Sequence, residues 1–493
     1  MAESAIAATG ARSRVLAALR SMRPPLAIVA DDEGLKPFET DAFIAHRETP
    51  MLAVLPADER EVGAVVRACR ALGVPVVSRG AGTSISGGAI PRNDGVLLVM
   101  TRMKRIVALD PRARLAVVEP GVRNLQVSES AAPAGLFYAP DPSSQVVCSI
   151  GGNVAENAGG VHCLKYGLTT HNVLAVRAID ADGDLLEAGS HALDAPGYDL
   201  LALLTGSEGN LGVITRVTVR LVALPEATRT LLAVFPSVRQ AAEAVGEIIG
   251  AGIVPAALEM MDRIVIEACE RCYNLGFPAG AEALLLAEVD GCLEEADEAA
   301  RAVRAILEAS GATEVRLAAD GAERERLWKS RKGAFTALAT VLPDYYAIDG
   351  TIPRRCLPAI LDHVYELAAE YGLTVGNVFH AGDGNIHPCI FYDANKPGDL
   401  ERGEELGGRI LEACVEAGGT ITGEHGVGIE KLRQMCVQFR PAEIAAFHDV
   451  KGAFDPGGIL NPGKAVPTLR RCTEWNGMRV QGGAVPRPDI PRF

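Results

Sequence analysis

The sequence predicts an α+β protein of two domains that meet near Pro225. Three observations carry this. Short β-rich runs alternate with glycine-rich loops from Pro50 to about Leu224. Beyond Pro225 the texture changes to long alanine- and glutamate-rich helices alternating with strands, the pattern of a second sheet covered by helices on one face. The length, 493 residues with 48% hydrophobic and 22% charged, supports two or three full cores. The expected bounds are an N-terminal helical segment over 1–48, a first domain over 49–225, a second over 226–465 and a tail over 466–493.

The elements follow in order. "MAESAIAATGARSRVLAALRSMRPP" reads as a short amphipathic helix; it sets Arg12, Arg14, Arg20 and Arg23 against Glu3, but has no apolar core of a targeting segment. "MLAVLP" is a strand, "EREVGAVVRACRALG" an amphipathic helix and "VPVVS" a second strand. "GVLLVM", "IVALD" and "LAVVEPGV" are further strands, and "VLAVRAIDADGDLLEAG" is a hairpin turning at Asp182-Gly183. "GVITRVTVRLVAL" closes the first domain. In the second, "VRQAAEAVGEIIGAG", "LEEADEAARAVRAILEASG" and "LPAILDHVYELAAEYG" are helices, and "RTLLAVFP", "ALLLAEVDG", "TEVRLAA" and "LTVGNVFHAG" are strands. With no low-complexity linker between the halves, a cleft between them is the expected ligand site.

Composition excludes several functions. A net charge of −14 without a basic block repels nucleic acid and anionic lipid. No apolar run approaches the ~20 residues that cross a bilayer. Eleven cysteines at irregular spacings read as reduced thiols, and Cys269-Cys272 as an i,i+3 pair on a helix. No four-cysteine cluster pattern appears, so electrons leaving this chain must pass to another protein or a soluble acceptor.

The segment "RGAGTSISGG" follows a strand. Glycine costs backbone entropy wherever it sits, so such a cluster needs a turn or a close ligand. A dinucleotide fingerprint beginning at Gly80 fails at Ile85, and a Walker A loop beginning at Gly82 fails at Gly88. What remains is a run of backbone N–H groups with the hydroxyls of Thr83, Ser84 and Ser86, able to wrap an anion. Two further loops, "CSIGGNVAENAGGVHCLKYG" and "TGSEGNLGVIT", share this chemistry, which favours one extended phosphate-bearing ligand.

"TVGNVFHAGDGNIHPCIFYD" reads as strand, tight turn and strand, with His380 and His387 flanking Gly382-Asp383-Gly384. Residues directly across a hairpin face the same side ~5 Å apart, a separation suited to one divalent metal. "TITGEHGVG" places Glu424 and His425 between glycines, where both can address one pocket.

The three glycine loops resemble the flavin-binding segments of the vanillyl-alcohol-oxidase/PCMH-type FAD proteins, and "VFHAGDGNIHP", "TGEHGVG" and "FDPGGILNPGK" resemble their 2-hydroxyacid dehydrogenase branch. The resemblance implies a PCMH-type FAD-binding domain of two subdomains, a cap with ferredoxin-like elements, and a C-terminal segment returning to the flavin. FAD would be held by Arg79, Gly80, Ala81, Gly82, Thr83, Ser84, Gly87 and Gly88 of the first loop. From the second come Pro140, Asp141, Ser144, Ser149, Gly151, Gly152, Asn153, Asn157, Gly159, Gly160, Tyr166 and Gly167, and from the third Glu208, Gly209, Gly212, Val213 and Ile214, with Asn461 and Lys464 of "LNPGK" beside them. Thr83 and Gln145 stand where relatives attach FAD covalently, so the flavin is expected to be non-covalent; Cys148 and Cys163 read as small buried hydrophobes.

The resemblance further implies His380, His387 and Glu424 as metal ligands, for zinc first and for manganese or iron as well. It implies His425 as the base, Asn385 as an orienting residue, and Arg331 of "WKSRKGAF", with Lys332 beside it, as the carboxylate-binding cation. Ala347 stands where a second cation would serve a dicarboxylate, so a small monocarboxylate is expected. The implied reaction oxidises glycolate, with D-lactate as a second substrate. Electrons would go to an iron–sulfur subunit and on to quinone, in a glycolate oxidase complex with a second flavin-binding subunit. The expected location is cytoplasmic, with membrane contact only peripheral and through partners. The alternatives are a stand-alone D-lactate dehydrogenase using a cytochrome or quinone, a non-catalytic FAD-binding subunit, and a metallohydrolase.

Overall fold

The computed structural model describes residues 2–192, 196–342 and 344–468. These divide into two compact units, and the chain passes between them more often than its sequence implies. The first unit takes residues 1–158, 168–223 and 424–493, the second 159–167 and 224–423. The second unit thus ends at Gly423 and includes the glycine-bounded segment 159–167. The N-terminal segment belongs to the first unit, and the tail beyond residue 468 lies outside the described residues.

In the first unit, strands Leu52–Leu55, Val76–Arg79 and Val96–Val99 run parallel, with Ala27–Val29 antiparallel at one edge. Helix Glu59–Leu72 makes the crossover. Asp58 caps its first turn by accepting the Glu61 N–H at 3.0 Å, Gly73 ends it in the left-handed region, and Val62, Val65, Val66 and Cys69 recur at helical spacing on its buried side. Val15 and Leu19 of helix Ala2–Arg20 join this core. A second sheet of five antiparallel strands follows, and its hairpin Val173–Ile179/Leu185–Gly189 turns at Asp182-Gly183 as the sequence implies. The C-terminal segment returns to the first sheet: Val76 N–H donates to Ile459 at 2.7 Å and Asn461 N–H to Val76 at 2.8 Å.

The second unit is built on an antiparallel sheet of seven described strands, with Ala257–Asp262, Ala283–Gly291 and Ala227–Phe235 towards one edge and Thr374–Phe379 and Pro388–Tyr392 towards the other. Leu232 and Val234 join the core formed with helices Arg263–Tyr273 and Gly321–Leu338. Strand alternation turns Leu231, Ala233 and Phe235 to the opposite face, which meets helices Val238–Gly250 and Leu293–Ala309. Helices thus lie on both faces.

Segment 159–167 is fastened to this sheet by buried charge. Glu288, 1% exposed, accepts from Thr230 Oγ1 and Trp328 Nε1 at 2.6 Å each and from Arg324 at 2.7 and 2.8 Å, with His162 Nε2 3.6 Å away. Tyr166 donates to Asp290 at 2.6 Å, and Lys165 pairs with the same carboxylate. Nine described cysteines are free thiols, Cys269 buried and Cys272 exposed on one helix; Cys436 is disulfide-bonded, a departure from the expectation of reduced thiols throughout. Among the described residues no helix is long and apolar enough to cross a membrane.

Burial alone would raise the Glu288 carboxyl, but its hydrogen bonds and the Arg324 charge prevail and hold it at about 2, against 4.5 unperturbed. A depressed carboxyl stabilises the fold above its unfolded value and stops doing so as pH falls through its folded one. The contribution, about 3 kcal/mol at pH 7, should be lost between pH 4.5 and 2. Glu288→Gln should cost about 2–3 kcal/mol in denaturant unfolding at pH 7, and its deficit against the natural chain should shrink as the pH is lowered through that window.

Candidate functional site

In the first unit the three glycine loops converge, and they do so where a side chain has no room. A Cβ on Gly80 would collide with Ser149 Oγ, one on Gly88 would lie 2.5 Å from Glu156 Oε1, and one on Gly209 would lie 2.6 Å from Ser78 Oγ. Ser149 caps helix Ile150–Glu156 by accepting the Gly152 N–H at 3.3 Å. Asn153 accepts from Asn124 at 3.0 Å, and Asn157, left-handed at φ 55°, accepts the Thr170 N–H at 2.9 Å. Their described amide bonds hold the loop in shape.

The C-terminal segment ties the loops together. Asn461 Nδ2 donates to Glu208 O at 2.6 Å and Gly88 O at 3.2 Å, and Lys464 Nζ donates to Gly88 O at 2.9 Å and also to Ile90 O. The Glu208 carboxylate accepts the Val427 and Gly428 N–H groups at 2.7 Å each, while Ser86 Oγ donates to His425 O at 2.9 Å. His425 is thereby fixed by its backbone to the first glycine loop. Burial pushes Glu156 well above the usual carboxylate range, with Glu208 and Asp41 adding to it, and pushes Lys464 down to about 8. Arg79 is 8% exposed, and its Nη1 has no hydrogen-bond partner among the described residues. A buried guanidinium with an unanswered N–H, in a loop stripped of side chains, fits an anionic cofactor such as the FAD pyrophosphate. Gly159, Gly160, Tyr166 and Gly167 belong instead to the second unit, where the Tyr166 hydroxyl is engaged by Asp290.

In the second unit the hairpin expected around Gly382-Asp383-Gly384 forms, but with a different pairing of histidines. His380 stands across from Asn385, and Asn377 across from Pro388. His387 is two residues beyond Asn385, so the two histidines are diagonal neighbours on one face rather than a direct pair. Their ring centroids are 5.2 Å apart, within the reach of diagonal side chains. Gly384 at φ 72° takes the turn, where a Cβ would strike Ile352 O.

Around this pair lie charges that sequence reasoning missed. Glu259, 1% exposed on strand Ala257–Asp262, accepts from Arg331 Nε at 2.5 Å and meets His380 Nδ1 at 2.8 Å. Burial alone would raise Glu259, but the charges of His380 and Arg331 outweigh it and hold the carboxyl below its usual range. Asp349, fully buried, lies 3.5 Å from His387 Nε2 and accepts from Asn385 at 2.6 Å, Thr422 at 2.6 Å and the Gly423 N–H at 2.9 and 3.0 Å. Arg331 is 1% exposed, and its Nη1 has no partner among the described residues. The sequence did carry a signal for Glu259 and Asp349, an isolated acid inside an apolar run in "ALEMMD" and "YYAIDG", but one shared with ordinary caps and turns.

Two imidazoles on one face, one of them turned by Nδ1 to a carboxylate, make a donor set that fits a divalent metal. Glu424 and His425 follow Gly423 directly in the chain and belong to the first unit, where Glu424 Oε1 lies 3.5 Å from His425 Nε2.

Comparison with known proteins gives concordant matches. The family model described as "FAD binding domain" matches residues 50–189, and that described as "FAD linked oxidases, C-terminal domain" matches residues 224–465. The glycolate oxidase subunit GlcD of Escherichia coli (strain K12) is 56% identical over 482 residues, 98% of this chain and 97% of that protein. The D-lactate dehydrogenase of Archaeoglobus fulgidus is 33% identical over 87% of this chain and 95% of its own. The crystal structure of p-cresol methylhydroxylase with substrate bound superposes with a TM-score of 0.77 at 16% identity, covering 94% of this chain and 97% of that one, a likeness of fold.

Gly80→Ala should displace the first loop from Ser149 and weaken FAD binding about tenfold or more in reconstitution titrations. Gly246→Ala, on helix Val238–Gly250 with nothing within 4 Å of the added carbon, should leave FAD binding unchanged.

Proposed function

The chain belongs to the PCMH-type family of FAD-linked oxidases, and from that premise we propose that it oxidises a small 2-hydroxy acid, glycolate to glyoxylate and D-lactate to pyruvate. The observation that carries this reading is Arg331: a buried guanidinium with Nη1 unanswered, held beside His380 by Glu259. A substrate carboxylate suits it, because the planar fork of arginine takes carboxylate oxygens in parallel. Relatives named for glycolate and for D-lactate support the same class.

The residues divide the work. Arg331 binds the carboxylate and so fixes the carbon that bears the hydroxyl. His380, His387 and Glu424 would hold a divalent metal, which when bound supplies Lewis acidity towards the hydroxyl oxygen. His425 takes the hydroxyl proton at a ring nitrogen, as a general base. Bound FAD supplies the acceptor for the hydride from the same carbon, leaving the 2-oxo acid. Phe335, one helical turn after Arg331, has its ring centroid 6.5 Å from that of His387, and Ala347 pairs across from Cys389. Phe335 and Ala347 contribute aromatic and methyl surface there, which supports a short monocarboxylate.

The electrons then leave for an iron–sulfur partner subunit and quinone, with a second flavin-binding subunit in the same complex. The support is a sequence without a four-cysteine cluster pattern and a relative named as a subunit.

Anaerobic titration of the FAD-loaded chain, followed by flavin absorbance, should show bleaching by glycolate and D-lactate and none by D-2-hydroxyglutarate. Bleaching by the dicarboxylate alone would overturn the assigned substrate class. His425→Gln should lower kcat by about 10²- to 10⁴-fold with FAD retained, and Arg331→Lys should act mainly through KM.

A further inference from the structure

We propose that Glu259 is a positioning residue for this reaction: its two carboxylate oxygens set the ring state of His380 and the reach of Arg331 together. The inference rests on the function proposed above and concerns how its residues are prepared.

The geometry is specific. One oxygen, Oε2, holds Arg331 Nε at 2.5 Å; the other, Oε1, lies 2.8 Å from His380 Nδ1; and all three side chains are at most 4% exposed. An ionised carboxylate only accepts, so Nδ1 carries a hydrogen, and in the neutral ring that a metal ligand requires the lone pair then lies on Nε2. The contact of 3.5 Å between Arg331 Nη2 and Nδ1 cannot then be the hydrogen bond, since both atoms are donors. His380 is left able to ligate through Nε2, which is what a metal ligand requires. On the other side, Glu259 engages Arg331 through Nε alone, so the guanidinium is neutralised as a charge while its Nη edge is left for a substrate carboxylate, Nη1 having no partner among the described residues. One acid therefore serves metal and substrate at once. A purely structural ion pair would have consumed the arginine fork by a bidentate contact, as Glu288 does with Arg324.

The test uses the full chain loaded with FAD, as the natural sequence, Glu259→Gln and Glu259→Asp, titrated with Zn²⁺ against a chromophoric chelator, with KM and kcat for glycolate measured alongside. Glu259→Gln should bind Zn²⁺ about 10- to 100-fold more weakly, the range for loss of a carboxylate behind a ligating histidine, and raise KM, with FAD content unchanged. Glu259→Asp keeps the charge that balances Arg331 but shortens the reach, and should fall between the two. A folded Glu259→Gln that binds Zn²⁺ like the natural chain overturns the inference; where that variant does not fold, natural Zn²⁺ affinity in Glu259→Asp overturns it. If the natural chain itself binds no Zn²⁺ while still being bleached by glycolate, the metal reading fails first and this inference with it, an outcome distinct from equal binding by all three.

Discussion

The cost of burying Arg331 governs the second unit. A guanidinium taken out of water must be compensated by a nearby opposite charge with good geometry, or the fold loses several kcal/mol. Glu259 supplies that charge from the middle of the sheet, on a strand paired at Met260 and Met261 with Phe379 and Val378. The arginine comes from a helix, the histidine from the end of a strand, and their shared acid from a third element. Helix Gly321–Leu338 and the His380 hairpin are thereby tied to the same sheet position, and a change in any one of them alters the others. Asp349 has a similar place around His387, gathering Asn385, Thr422 and the Gly423 N–H immediately before the chain leaves the unit.

The first unit meets a different constraint. Its loops must present bare backbone where they come closest, because neighbouring side chains already fill the space a Cβ would need. Gly80, Gly88 and Gly209 are glycines for that reason, each with a neighbouring side chain where a Cβ would stand. Asn461 and Lys464 then occupy the carbonyls of Gly88, Ile90 and Glu208, so the last described stretch of chain completes the loops begun near residue 79. The side chains of these two residues hold the glycine loops by their backbone carbonyls.

Much of this was legible in the sequence. The glycine loops, the Asp182-Gly183 hairpin, the helix Glu59–Leu72 and the turn between His380 and His387 all obey local rules, and local rules survive folding. The register of the histidines was not legible, since the turn consumes one more position on one side than symmetry implies and so shifts the pair to a diagonal. Strand Ala257–Asp262 was also missed: it is buried throughout and carries Glu259 and Asp262, acids whose partners Arg331, His380, Tyr365 and Asn377 come from far along the chain. The placement of segment 159–167 in the second unit and of 424–468 in the first likewise has no local signature, because Glu288 and Asp290 hold the one and Glu208 the other.

In the proposed reaction FAD takes the hydride of a 2-hydroxy acid and a divalent metal assists loss of the hydroxyl proton. The measurement that tests it most directly is the rate of flavin reduction by glycolate in a single anaerobic turnover, compared among the chain as purified, the same chain after chelation, and the chelated chain after Zn²⁺ or Mn²⁺ is returned. The account predicts fast reduction, loss of reduction with FAD still bound, and recovery. Reduction that proceeds undiminished in protein shown to be free of metal would contradict it.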